Sequence, residues 1–150
     1  MDGTAYDCRI RAQARIVVSG ASGSGKSQLI KRMLLNFDRV FEEKPARVYI
    51  FYQHWQPSYE ELRAKSLIPV TFLRGPPPGD KFQPEAKSIL VFDDLQSTDS
   101  SEIQSWFFRK AHHLDCSVIY VVQNIFAQNK TNRTISLNAN YLCMCRLKNN

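Results

Sequence analysis

Residues 20–27 read Gly-Ala-Ser-Gly-Ser-Gly-Lys-Ser, and their types and spacing suit them to gripping a row of phosphates. Gly20, Gly25, Lys26 and Ser27 fill every fixed position of the pattern G-x-x-x-x-G-K-[ST]. A triphosphate needs backbone N–H groups converging on it, which calls for positions without a Cβ such as Gly23 and Gly25. It also needs a long cation, Lys26, reaching the β and γ phosphates, and a hydroxyl, Ser27, as a ligand of Mg²⁺. The expected contacts with ATP are Gly20, Ala21, Ser22, Gly23, Ser24, Gly25, Lys26, Ser27 and Gln28. A Gly/Ser-rich surface turn would explain the glycines, but it leaves Lys26-Ser27 without a reason.

Two more polar clusters end apolar runs. Ser88-Ile89-Leu90-Val91-Phe92 stops at Asp93-Asp94, and Ser117-Val118-Ile119-Tyr120-Val121-Val122 stops at Gln123-Asn124. Asp93 is expected to bind Mg²⁺ through water alongside Ser27, as the acid of a Walker B strand does. Asp94 has two readings, a solvated loop carboxylate or the general base that orients the attacking water. Asp is one methylene shorter than the Glu usual in that role. Gln123 and Asn124 are either turn formers or, for Gln123, a carboxamide bonded to the γ-phosphate or the attacking water.

The elements that must position these groups are legible in outline. Arg15-Ile16-Val17-Val18-Ser19 reads as a buried strand entering the glycine-rich loop. Leu29, Ile30, Met33, Leu34 and Phe37 then recur on one helical face, with Lys31 and Arg32 turned away. Further strands are expected at 47–52, 69–73 and 141–145. A helix is expected to open at Pro57-Ser58, with Ser58 as cap and Glu61 at the capping-box position. Another runs to about His112 from caps at Asp99 or Ser101, with Ile103, Trp106, Phe107 and Lys110 on one side. The stretch Gly75-Pro76-Pro77-Pro78-Gly79 is a loop, and a polar loop is expected through Lys130, Asn132 and Arg133. Strands alternating with helices predict an α/β fold, a mainly parallel sheet flanked by helices. Such sheets bind ligands at the carboxyl ends of their strands, where the three clusters converge.

The 150 residues fit a single domain, 1–150, of ordinary globular composition: 43% hydrophobic and 23% charged. No apolar run reaches membrane-spanning length, and Met1-Asp2-Gly3-Thr4 resembles no signal peptide. The expectation is a cytoplasmic or nuclear protein, or one inside an infected host cell, with no membrane partner. A net charge of +6 suits a nucleic-acid partner, but the basic residues are dispersed as on any solvated surface. Cys8, Cys116, Cys143 and Cys145 are expected reduced and largely buried. A zinc site drawing on His112, His113 and these cysteines lacks any C-x-x-C pair, so core packing is the reading preferred.

The segment Val118-Ile119-Tyr120-Val121-Val122-Gln123-Asn124-Ile125-Phe126, with Arg133-Thr134-Ile135-Ser136-Leu137-Asn138 and Tyr141, carries a narrower signal. With the loop at 20–27, it resembles the packaging ATPases of large double-stranded DNA viruses, including the poxviruses, and of Polinton-type elements. These belong to the FtsK–HerA branch of the P-loop NTPases, and the resemblance runs from Ile16 to Asn149. It implies a RecA/ASCE-like P-loop fold and a homo-oligomeric ring that hydrolyses ATP to move double-stranded DNA into a capsid, with capsid proteins as further partners. It also implies Gln123 as the sensor. In that family the chain continues past Lys148-Asn149 to an Arg serving as a trans arginine finger. Here Arg133 or Arg146 takes that role, or the chain is a truncated or degenerate copy. Two rivals stand beside the motor. One is a small-molecule P-loop kinase, for which 123–140 supplies only Lys130 and Arg133 as lid cations. The other is an ATP-binding remnant with little turnover, against which Lys26, Ser27, Asp93 and Asp94 are all intact.

Overall fold

The apolar runs pack side by side because a strand of Val, Ile, Leu and Phe can leave neither face to water. The computed structural model describes residues 6–95, 100–127 and 129–147. Its strands are β1 (Arg15–Ser19), β2 (Val48–Tyr52), β3 (Val70–Arg74), β4 (Ile89–Asp93), β5 (Ser117–Val122) and β6 (Tyr141–Met144). They form one sheet in the order β3-β2-β4-β5-β1-β6, and every ladder is parallel. The expected α/β architecture with a parallel sheet flanked by helices is therefore present.

Alternate strand residues feed two cores. On one face Ile16, Val18, Ile50, Val91, Ile119 and Val121 pack against Ile30, Met33 and Leu34 of α1 (Lys26–Leu35). Tyr59 and Leu62 of α3 (Pro57–Lys65) join them. On the other face Val17, Phe51, Phe92, Val118 and Tyr120 meet Ile103, Trp106, Phe107 and Ile135. These four come from α4 (Ser100–Ser105), its continuation, and α6 (Lys130–Asn138). Each fully buried aliphatic or aromatic side chain contributes about 1.5–3 kcal/mol by leaving water, so the two cores hold the helices on the sheet. β6 closes the edge beyond β1 with one half-buried face, on which Cys143 packs.

The structure departs from the sequence reading at several points. The helix expected through His112 is continuous but not uniform: Trp106–Lys110 forms a π-turn between α4 and α5 (Ala111–His113). Asp99 lies outside the described residues, and Ser101 lies inside the helix rather than capping it. Phe37 belongs to a separate turn, α2 (Phe37–Val40), because Asn36 ends α1. Lys31 does not face solvent; its ammonium pairs with Glu61 of α3, tying the two helices together. Ser58 is not the cap of α3. Pro57 takes the first helical position, where its missing N–H costs nothing, and so Gln56 becomes the N-cap. The expected polar loop at 130–133 is the first turn of α6. The Asn129 side chain accepts from the Asn132 N–H at 2.7 Å, and Ile135 anchors the helix in the core. Of the cysteines Cys116 is buried, Cys143 and Cys145 are half-buried and Cys8 is exposed.

Candidate functional site

Because every strand runs the same way, the carboxyl ends of β2, β4, β5 and β1 lie along one edge. Asp93 stands beside Val121 and Tyr52, and Ser19 beside Val122. An open cleft of about 390 Å³ lies there, lined by Ser22, Gly23, Gly25, Lys26, Ser27, Gln28, Gln56, Asp93, Asp94 and Gln123. The three polar clusters that are far apart in the sequence thus meet.

The loop between β1 and α1 makes the cleft's floor. Gly23 and Gly25 have φ of 79° and 98°, left-handed values that side chains resist, and a Cβ at either would meet nothing within 4 Å. Gly20 is glycine for a different reason. A Cβ there would stand 2.6 Å from the Cys145 carbonyl oxygen and 2.5 Å from Ser24 Oγ. Of the expected loop contacts, Gly20, Ala21 and Ser24 do not line the cleft. Ser24 Oγ is buried beneath the loop without a hydrogen-bond partner. Lys26 Nζ donates to the Gly20 carbonyl, so the cation bridges its own loop.

Asp93 is the hub of the cleft. Its Oδ2 accepts from Tyr59 O–H and, at 3.2 Å, from Gln56 Nε2, while Gln56 Oε1 accepts from Ser27 Oγ. Burial, with the neighbouring Asp94 charge, pushes the Asp93 carboxyl above its ordinary range against the pull of Tyr59 and Lys26. Burial, with Asp93's charge and hydrogen bond, pushes the Tyr59 phenol up as well, so it stays a donor. Gln56 and Tyr59 escaped the sequence reading. The signal available was Pro57, whose place at the head of a helix sets Gln56 and Tyr59 on its first turn.

Asp94 follows β4 with φ of 54° while its N–H still donates to the Val121 carbonyl at 3.1 Å. An Asp tolerates this left-handed turn better than most side chains do. The two readings of Gln123-Asn124 separate here. Asn124 is a turn former: its Oδ1 accepts from the Phe126 N–H at 3.0 Å. Gln123 is exposed and lines the cleft. Its loop is pinned by Ser19 Oγ, which accepts from the Ile125 N–H, and by buried Asn132, whose Nδ2 donates to the Asn124 carbonyl. Asn132 Oδ1 also accepts from the Tyr120 hydroxyl. Burial and the charge of Asp94 push that phenol up to about 12.

Arg133 is not brought to the cleft. It lies exposed on α6 and lines a separate recess with Phe126, Lys130 and Ser136. Arg146 is exposed beyond β6.

The residues present fit Mg²⁺ with a triphosphate. Ser27 Oγ and an Asp93 carboxylate are hard oxygen donors joined through a single carboxamide, and the space above Gly23 and Gly25 is open. Among the described residues no group of three or more His, Cys, Asp or Glu gathers as a metal cage. Mg²⁺ on a nucleotide needs none, because phosphates and water complete its shell.

The fold and site define the class: an α/β domain with a glycine-rich loop and paired acids at the carboxyl edge of a parallel sheet. No family model matches the chain, and no curated protein does. Among solved structures it is similar to the cytoplasmic domain of EssC, with 14% identity and a TM-score of 0.60 over 91% of this chain and 32% of that one. The chain spans about a third of that structure's length. At this identity the likeness shows the architecture alone, and function rests on the site.

Proposed function

We propose that this chain is a P-loop NTPase domain that hydrolyses ATP, used as the motor that moves double-stranded DNA into a capsid. The observation that carries the first half is the meeting of Lys26, Ser27, Asp93, Asp94 and Gln123 in one cleft. In the reaction Lys26 leaves the Gly20 carbonyl for the β and γ phosphates, and the loop N–H groups hold the rest of the chain. Ser27, with Asp93 through water, would hold Mg²⁺, which would neutralise phosphate charge. Asp94 accepts a proton from water as that oxygen attacks the γ-phosphorus. The bond to the β–γ bridging oxygen breaks, giving ADP and phosphate. Gln123 orients the water or reports the γ-phosphate.

What supports the motor half is the resemblance carried by 118–126, 133–138 and Tyr141. The position of Arg133, exposed and outside its own chain's cleft, suits a group that acts on a neighbouring subunit of a ring. The test is ATPase turnover of the purified chain across protein concentrations, with and without double-stranded DNA. Turnover per subunit that rises with concentration and with DNA is expected. Phosphate transfer to a nucleoside with no DNA response would replace the motor with a kinase, and binding without turnover would leave only a nucleotide-holding module.

A further inference from the structure

Gln56 occupies an unusual place for the cap of a helix. The N-cap side chain ordinarily accepts from a free N–H of the first turn. Here no side-chain cap bond forms on α3. The carboxamide instead bridges two residues of the cleft, accepting from Ser27 Oγ and donating to Asp93 Oδ2 at 3.2 Å. Those are the two groups that the nucleotide reading assigns to the cation, so the carboxamide and a cation compete for the same oxygens.

We propose that Gln56 is a placeholder for the divalent cation, released when Mg²⁺ arrives, and that its release moves the first turn of α3. The inference rests on the nucleotide reading of the cleft and deepens it. A carboxamide imitates both halves of the exchange: its oxygen takes the Ser27 hydroxyl proton and its N–H₂ satisfies the buried carboxylate. Without such a stand-in, Asp93 would be left with Tyr59 alone on Oδ2, a costly state for a largely buried acid. Once Ser27 and Asp93 turn their oxygens to a cation, Gln56 loses both partners. Gln56 is thus a positioning residue, acting through Ser27 and Asp93.

The chain carries its own reporter. Trp55, adjoining Gln56, is 39% exposed and packs edge-on against Tyr59 and Phe72, with the Arg63 guanidinium 4.8 Å from its ring centroid. The second tryptophan, Trp106, is 1% exposed and belongs to the core on the opposite face of the sheet. Movement at Gln56 therefore changes Trp55 emission and leaves Trp106 dark to it.

The experiment titrates the whole chain with Mg²⁺ at fixed ATP, reading tryptophan emission, with calorimetry as an independent measure of uptake. In the unaltered protein Mg·ATP shifts the emission, ATP in EDTA does not, and Trp55→Phe abolishes the shift. Gln56→Ala tightens the Mg²⁺ half-saturation about thirtyfold, the worth of the two hydrogen bonds no longer displaced. Its ligand-free emission already lies toward the Mg·ATP value. Gln56→Asn, too short to span both partners, does the same and covers an alanine variant that fails to fold. Damage of a merely structural kind would weaken Mg²⁺ uptake. Unchanged or weaker half-saturation in the variants, with the unaltered chain binding normally, overturns the placeholder and leaves the nucleotide reading standing. No uptake of Mg·ATP by the unaltered chain overturns both.

Discussion

At the scale of single residues, the proposed function assigns binding and reaction to different groups of the cleft. Lys26 lines the cleft and its hydrogen bond among the described residues is to its own loop, so on the proposed reading Lys26→Ala removes charge-assisted bonds to a bound triphosphate without unpicking the core. ATP affinity is expected to fall about 100-fold or more by calorimetry, the worth of two such bonds. Asp94 lines the cleft without belonging to the Ser27–Gln56–Asp93 chain. Asp94→Asn is therefore expected to keep ATP binding and stop hydrolysis; lost binding in that variant would make Asp94 a metal ligand instead.

Asp93 adds a pH dependence whose sign follows from its raised pKa. The ionised form opposes folding, so the stability it leaves intact is present at low pH and is lost as pH rises through the folded value. Cation binding needs the ionised form, so acid works against it. Mg·ATP affinity is expected to fall about tenfold per pH unit below a midpoint lying above the usual carboxylate value of about 4. A titration series across pH checks this, and a flat profile down to that value would show that burial does not raise the Asp93 pKa.

At the scale of elements, the loop after β5 is as consequential as the glycine-rich loop. Gln123 is exposed, and its loop is held by the groups that surround it. Asn132 is 1% exposed, and its side chain ties α6 to the Asn124 carbonyl and the Tyr120 hydroxyl. Asn132→Ala strands the Tyr120 hydroxyl in the core and is expected to cost about 1–3 kcal/mol in urea unfolding. Turnover should fall while ATP affinity stays, because Gln123 loosens and Lys26 does not. This element also marks the limit of local sequence reading. Lys130, Asn132 and Arg133 look like loop because polar residues dominate, yet Asn129 supplies a cap and Ile135 a core anchor that outweigh composition. The strands β1 and β4 and the glycine-rich loop were legible because their signals are local: β-branched runs, glycines, and acids at a strand end. The cap of α3 was misread because Ser58 satisfied a pattern that Pro57, one residue earlier, had already overridden.

At the scale of the whole molecule, two surfaces are distinct. The cleft lined by Lys26, Asp93 and Gln123 sits at the carboxyl edge of the sheet, while Arg133 and Lys130 line a separate recess on α6. No helix among the described residues is long and apolar enough to cross a membrane. If Arg133 serves a neighbouring subunit, Arg133→Ala is expected to keep ATP affinity and lose most turnover, by a factor of about 10³ or more. Mixing it with Lys26→Ala subunits then restores part of the rate, since each supplies what the other lacks. No recovery at any mixing ratio would return Arg133 to the ordinary solvated surface.

The sequence by itself determined what chemistry was at hand. The types and spacing of Gly20, Gly25, Lys26 and Ser27 set which groups could meet a phosphate, and alternating strands and helices imply a parallel sheet. Only the tertiary structure decided what those residues touch. The order β4-β5-β1 sets Gln123 between the acids and the loop. The packing of α3 over the sheet brings Gln56 and Tyr59 onto Asp93. The physical reason is range: propensity and spacing act over a few residues, whereas the bonds from Ser27 to Gln56 and from Gln56 to Asp93 join positions 29 and 37 residues apart.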